Sequence, residues 1–252
     1  MERERTTEKS KLVLSRRLQA LVDMVTPGNR VVDVGCDHGF VAIQLVQQGS
    51  SPTVIAMDVR KGPLSRAQEH IKEWQLQDYI ETRLSDGLAA YHAGEAETMV
   101  CAGMGGPLMM RILQEGARKV ATMQELILQP QSELPDFRRF LREEGYRILE
   151  ENILWEEEKY YFLFRVAPGA LQDDSVFNAQ GSDDDRKLYD KYGQLLLQRR
   201  DPILRQYLQK SLKTTEQIIG GLSENQTKRG QERLMELVQE KEDLQRALLF
   251  YA

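Results

Sequence analysis

Cysteine, histidine and long apolar runs are what this chain has least of. Two cysteines, Cys36 and Cys101, occur in 252 residues, too few for the disulfide framework of a small secreted scaffold. Both fall in or beside strands expected to be buried, as reduced thiols of a cytoplasmic protein. With three histidines and no Cys/His pair at metal-ligand spacing, no metal site is expected. No stretch approaches the roughly 18 apolar residues of a membrane span. The first residues, Met-Glu-Arg-Glu-Arg, lack the apolar core of a signal peptide. Positive charge is also short: a net charge of −5 argues against a uniformly basic nucleic-acid binder. Local basic patches remain open, because affinity for phosphates follows local charge. No repeat or low-complexity tract is apparent.

What is present is a soluble, globular composition, 41% apolar and 29% charged, long enough for one ordinary domain and a smaller one. The chain is organised around Arg30-Val-Val-Asp-Val-Gly-Cys-Asp-His-Gly-Phe40. An apolar strand runs into an acidic, glycine-bearing turn, and the turn opens into an apolar helix from Phe40 to Val46. Glycines there let the backbone approach a ligand, and the helix start offers free N–H groups.

Ahead of this unit, residues 8–25 have a helical period of leucines and valines with Lys9, Lys11, Arg16 and Arg17 among them. Those basic residues form either a solvated face or a phosphate-facing rim. Behind it, a second strand over 53–58 ends in Asp58, about 20 residues after the glycine turn, where a carboxylate suits a ribose hydroxyl pair. A helix over 62–75 and a strand over 80–84 lead to Asp86-Gly87. That carboxylate is placed for an adenine amino group, although Asp-Gly is also simply a good turn. A fourth strand, 98–102, enters Gly103-Met104-Gly105-Gly106-Pro107, and a helix follows over 108–120. Three glycines in four residues at a buried strand's end imply close approach of chain and ligand. A fifth strand, 125–130, stops at Gln129-Pro130, and a helix over 134–144 ends at Gly145. Two closely spaced runs, 147–155 and 160–166, must be antiparallel, having no room for a crossover helix between them. The expected fold class is thus α/β, a Rossmann-like, seven-stranded, mostly parallel sheet with one antiparallel strand. A polar linker over 169–184 separates this 1–168 domain from a helical 185–252 domain. There, apolar stripes from Leu204 to Leu222 and from Leu234 to Tyr251 alternate in threes and fours, as in a coiled-coil-like hairpin turning at Gly220-Gly221 and Ser223–Asn225.

The turn reads Asp33-x-Gly35-x-x-x-Gly39, with Asp37 where a dinucleotide fold wants glycine for a pyrophosphate. A carboxylate there repels pyrophosphate and can face the ammonium of an amino acid. S-adenosylmethionine has that ammonium, a ribose and an adenine, and no phosphate, so it is favoured over a nicotinamide cofactor. Asp33, Gly35, Cys36, Asp37, Gly39, Asp58, Val59, Asp86, Gly87 and Gly103 form the expected cofactor side.

Val-Asp-Val-Gly-Cys-Asp-His-Gly, Ser-Asp-Gly-Leu, Ala-Gly-Met-Gly-Gly and Leu-Ile-Leu-Gln-Pro, in that order, resemble the bacterial tRNA (adenine-22-N1)-methyltransferase family, the TrmK type. The resemblance covers about residues 10–166, and the helical hairpin matches the family's plan. It implies a class I methyltransferase fold and methyl transfer from S-adenosylmethionine to N1 of an adenine in the D-arm of tRNA. N1 already carries a lone pair, so positioning can supply most of the acceleration. Asp37, with His38 second, is the candidate to stabilise the cationic product or take its N6 proton; His38 could equally hold the loop. Met104, Gly105, Gly106, Gln129 and Pro130 are expected to line the base pocket, with Arg16 and Arg17 toward the tRNA. The other basic candidates for RNA are the Arg138, Arg139, Arg142 cluster and the run Arg199, Arg200, Arg205, Lys210, Lys213. The competing reading is an S-adenosylmethionine-dependent enzyme of a small molecule or another RNA, whose helical hairpin dimerises. A vestigial RNA-binding protein and a nicotinamide oxidoreductase rank below it. Monomer and homodimer both stay open.

Overall fold

The computed structural model describes residues 12–169, 182–222 and 228–252. Lys9, Lys11, Gly181 and Ser223–Asn225 lie outside the described residues. In chain order the elements are α1 (Arg16–Met24), β1 (Val31–Val34), α2 (Phe40–Gln47), β2 (Val54–Asp58), α3 (Lys61–Glu73), β3 (Ile80–Leu84), β4 (Thr98–Met104), α4 (Gly106–Glu115) and α5 (Ala117–Val120). Then come β5 (Glu125–Pro130), α6 (Leu134–Glu143), β6 (Arg147–Glu156), β7 (Lys159–Ala167), α7 (Asp183–Tyr192), α8 (Gln194–Gln198), α9 (Pro202–Leu222) and α10 (Lys228–Leu249).

The seven strands lie in the order β3-β2-β1-β4-β5-β7-β6. Strands β1 to β5 run parallel, and β7 runs antiparallel to both neighbours. Strand periodicity divides the core between the two faces. Val31, Val100 and Ile127 point toward α1, α2 and α3. Val32, Met99, Cys101, Leu126 and Leu128 point toward α4, α6 and the C-terminal helices. Both faces are covered, which is why these strands read as unbroken apolar runs.

Several boundaries differ from the sequence reading for identifiable reasons. Helix α1 starts at Arg16, not near residue 8. The Ser15 hydroxyl accepts from the Leu18 N–H, and the Glu156 carboxylate accepts from the N–H groups of Arg16 and Arg17, at 2.6 and 3.2 Å. These acceptors satisfy the first turn. Strand β4 continues through Gly103 to Met104 with a register shift after Ala102, and Gly106 already belongs to α4. Helix α7 starts at Asp183, inside the expected linker, because Ser182 and Asp185 form a reciprocal capping box. Helix α9 runs through Gly220-Gly221 to Leu222.

The C-terminal helices share the core of the sheet. Leu188, Leu196, Leu204, Leu208 and Leu244 belong to the same buried cluster as Phe162 and Phe164 of β7. Helices α9 and α10 are antiparallel: Tyr251 bonds the Asp201 carbonyl at 2.9 Å, while Lys241 pairs with Glu216 at 3.0 Å. Of the expected stripe, Leu204, Leu208 and Thr215 are buried and Ile218 is exposed.

The Arg138, Arg139, Arg142 cluster is not a free basic surface. Arg138 is buried against Glu151 at 2.7 Å and donates to the carbonyls of Asp190 and Lys191 at 2.8 and 2.9 Å. Arg142 pairs with Asp190 and Arg139 with Asp136. Burial pushes the Glu151 carboxyl up, and Arg138 pulls it back. Removing one partner leaves the other charge buried and unpaired. We therefore expect Arg138→Ala to cost about 3–5 kcal/mol in urea unfolding. Replacing both, as Arg138→Met with Glu151→Leu, should cost far less.

Candidate functional site

Strands β1 and β4 are neighbours although two strands separate them in the chain, so the winding reverses between them. The loops that follow the two strands then lead away from each other, which opens a crevice at the carboxyl edge of the sheet. A cleft of ≈ 720 Å³ lies there, lined by the loops after β1, β2 and β3 and the end of β4. Arg17 and Leu18 of α1 close one side, and Leu108, Arg111 and Ile112 of α4 the other.

The first loop is held in a strained shape. The N–H groups of Gly35 and Cys36 both donate to the Met57 carbonyl, at 2.8 and 2.9 Å. Gly35 has φ +78°, and a β-carbon there would sit 2.2 Å from the methyl of Met104. Asp37 has φ +47°, a conformation that side-chain-bearing residues rarely adopt. Its N–H donates to Asp58 Oδ2 at 3.3 Å, while Asp58 Oδ1 accepts from the Arg60 N–H at 2.8 Å. Asp58 thus ties two loops together and keeps further lone pairs for a ligand.

Asp33 is the electrostatic anomaly of the cleft. Its residue is 4% exposed, and its Oδ2 has no hydrogen-bond partner. Burial, and then the charge of Asp58, push its carboxyl up to about 7. A cation placed against it would reverse that penalty. Asp86 is exposed and lies 3.4 Å from Arg111. The Asp37 carboxylate, 56% exposed, lies 3.8 Å from Arg66 and 3.6 Å from His38 Nε2. Four carboxylates around one cleft oppose a pyrophosphate and suit a cation. Burial pushes the thiol of Cys101 up to about 12 and that of Cys36 further up, so both stay protonated near neutrality.

Of the expected site residues, the cleft gathers Asp33, Gly35, Cys36, Asp37, His38, Asp58, Val59, Asp86, Gly87, Gly103, Met104 and Arg17. Gly39 lies behind it, starting α2 against Ala67. Arg16, Gly105, Gly106, Gln129 and Pro130 do not line it. Gly106 brings the backbone of α4 against Ser132, a packing role. Gln129 is fully buried; its Oε1 accepts from Arg17 at 2.9 Å and its Nε2 donates to the Pro130 carbonyl at 3.2 Å. Its amide is therefore committed inside the fold, and Gln131, two residues on, reaches the cleft. Sequence reasoning also gave no role to His70. Its Nδ1 bonds the His38 carbonyl at 2.9 Å, and its ring stacks on Phe40, which stacks on His38. Nothing local in the sequence marks that contact.

A family model described as a methyltransferase domain matches residues 14–164. The tRNA (adenine(22)-N(1))-methyltransferase of Bacillus subtilis is 34% identical over 152 residues, 60% of this chain and 64% of that protein, so the match spans a little under two thirds of the relative's length. Solved structures extend the likeness through the C-terminal helices. The crystal structure of the B. subtilis m1A22 tRNA methyltransferase TrmK has a TM-score of 0.81 at 27% identity, covering 94% of this chain and 100% of that one. A Streptococcus pneumoniae protein solved in complex with S-adenosyl-L-methionine has a TM-score of 0.78 at 30% identity, again over 94% and 100%.

The buried Asp33 sets a pH dependence for the ligand-free protein. Its folded value of about 7 exceeds the ordinary carboxyl value of 3.8, so the folded state holds the proton more tightly than the unfolded one. This contribution to stability is complete below about pH 4 and is lost as pH rises toward about 7. Thermal melts should show wild type falling across this window relative to Asp33→Asn, and the variant melting higher at pH 8.

Proposed function

This chain belongs to the methyltransferase domain family, and we propose that it transfers a methyl group from S-adenosylmethionine to N1 of adenine 22 in the D-arm of tRNA. The observation that carries the cofactor half is the unpartnered, buried Asp33 carboxylate in a cleft of acids, which matches an ammonium-bearing cofactor and opposes a dinucleotide. The B. subtilis relative supports the choice of tRNA adenine. A tRNA substrate also implies a cytoplasmic protein. Among the described residues, no helix is long and apolar enough to cross a membrane.

Asp86 would hold the adenine amino group and Asp58 the ribose hydroxyls. Val59 and Leu108, both exposed apolar side chains of the cleft, would flank the adenine ring, and Asp33 would face the ammonium. When bound, the cofactor supplies an electrophilic sulfonium methyl group. The chain's own part is mostly orientation, since N1 needs no strong base to expose its lone pair; orientation is worth up to ~7–11 kcal/mol. N1 lies on the pairing edge of the base, so the nucleotide must leave its helix at a cost of roughly a few kcal/mol. Gly103, Met104 and Gln131 line the side of the cleft left for that base. With Asp33 on the ammonium, Asp37 is free at the mouth to accept the N6 proton of the methylated adenine. Arg66 and His38 brace it there. The fold is α/β with C-terminal helices, and the protein works as a monomer or homodimer.

Incubation with methyl-labelled S-adenosylmethionine and unmodified bulk tRNA, followed by nuclease mapping, should place the label on N1 of adenine. No label in RNA would overturn the substrate, and label on another base the regiochemistry. Asp37→Asn should lower kcat by about 10²–10⁴ and change the cofactor Kd only a few-fold. Matching losses in both would remove the proton-accepting role. Affinity for tRNA should fall steeply with added salt, whereas a flat response would leave the basic residues as solvated faces.

A further inference from the structure

We propose that Arg17 is the carboxylate anchor for the amino-acid end of the cofactor, positioned by Gln129, and does not contact substrate phosphates. The inference rests on the S-adenosylmethionine reading above and extends it to a residue outside the strand loops.

Arg17 lines the cleft together with Asp33. Its guanidinium is fixed from two sides. One N–H donates to Gln129 Oε1 at 2.9 Å, and the guanidinium carbon lies 5.4 Å from the centre of the Tyr161 ring. Gln129 cannot turn its amide without losing the bond from Nε2 to the Pro130 carbonyl. Glu156 pins the Arg17 backbone N–H at 3.2 Å. Gln129 is fully buried near the carboxyl end of β5, so the guanidinium that touches it sits at the depth of the sheet edge. A substrate phosphate stays with its backbone outside the cleft when the base enters, and does not reach that depth.

Charge makes the same distinction. The other arginines of the cleft have carboxylates close by: Arg60 lies 3.9 Å from Asp58 and Arg111 lies 3.4 Å from Asp86. Arg17 forms no ion pair among the described residues. A guanidinium has five N–H donors, and Gln129 uses one of them. The amino-acid end of the cofactor is a zwitterion, with ammonium and carboxylate on one carbon. The cleft offers an unpartnered anion, Asp33 on β1, and an unpaired cation, Arg17, tethered at β5. Between them, the end of β4 passes through Gly103. The two charges of the ligand thus match an anion and a cation of the cleft that form no ion pair among the described residues.

The test is isothermal calorimetry on the full chain with S-adenosylhomocysteine and with its decarboxylated counterpart, which keeps the adenosine, thioether and amine. Wild type should prefer the carboxylate-bearing ligand. Arg17→Ala should weaken that ligand about 10- to 100-fold, the range of a charge-assisted hydrogen bond, and change the decarboxylated one less than about 3-fold. Gln129→Leu should reduce the preference partway, and Arg17→Lys should retain part of it; a purely structural role would lower both affinities together and leave their ratio intact. Because the ratio is taken within each variant, a general loss of stability does not mimic the result. Equal weakening of both ligands overturns the proposal, as does an unchanged preference with a raised KM for tRNA, which would put Arg17 on the RNA. If wild type binds neither ligand, the cofactor reading itself fails, a result distinct from the others.

Discussion

A parallel sheet that winds outward in both directions from one strand must leave a gap where its connections diverge. Here that strand is β1, with β2 and β3 on one side and β4 and β5 on the other. The gap is at the carboxyl ends of β1 and β4, and the acids of the cleft gather beside it. Asp33, Asp58 and Asp86 come from the ends of three consecutive strands or the turns after them. They stand side by side because neighbouring parallel strands are roughly 4.8 Å apart. The ladder of acids is therefore a property of the topology, populated by residues that the chain spaces tens of positions apart.

The gap is kept in a costly state. Asp33 holds a buried carboxylate oxygen without a partner, and Asp37 holds a left-handed backbone. Neither favours the folded protein by itself, and such costs persist when the surroundings over-determine them. Met57, Asp58 and His70 do so here, each bonding a different part of the loop. A ligand that brings a cation to Asp33 finds the site already shaped, so the ordering cost has been met in folding and not in binding.

The antiparallel pair β6–β7 braces the molecule at both ends. Near its turn, Glu156 holds the start of α1, and so places Arg17 over the cleft. Along its length, Glu151 and Arg138 lock the C-terminal helices to the sheet, while Tyr207 of α9 meets Tyr160 and Phe162 edge-on. The basic run of α8 and α9 is partly absorbed in the same way. Arg199 pairs with Asp201, Arg205 lies over Tyr251, and Lys210 lies 4.5 Å from the centre of the Trp155 ring. Arg200 and Lys213 remain exposed.

The sequence by itself determined the sheet and its order of events. Apolar runs punctuated by glycine and proline placed β3 and β5 to the residue and the other strands within a few residues. The short Glu156–Lys159 connection forced the antiparallel pair. Local patterns carry that information because strand burial and turn chemistry act over a few neighbours. The loops that line the cleft were legible for the same reason, as acid-and-glycine turns at strand ends. Tertiary structure alone decided which polar groups stay free. Asp33 and Asp37 look alike in sequence, yet one is buried without a partner and the other meets Arg66. Gln129 and Gln131 flank one proline, yet only the second reaches the cleft. Arg138 and Arg17 are both helical arginines, but one is spent on Glu151 while the other faces the ligand space. Those outcomes depend on contacts such as Arg17 with Glu156, which no local pattern encodes because the partners are 139 positions apart.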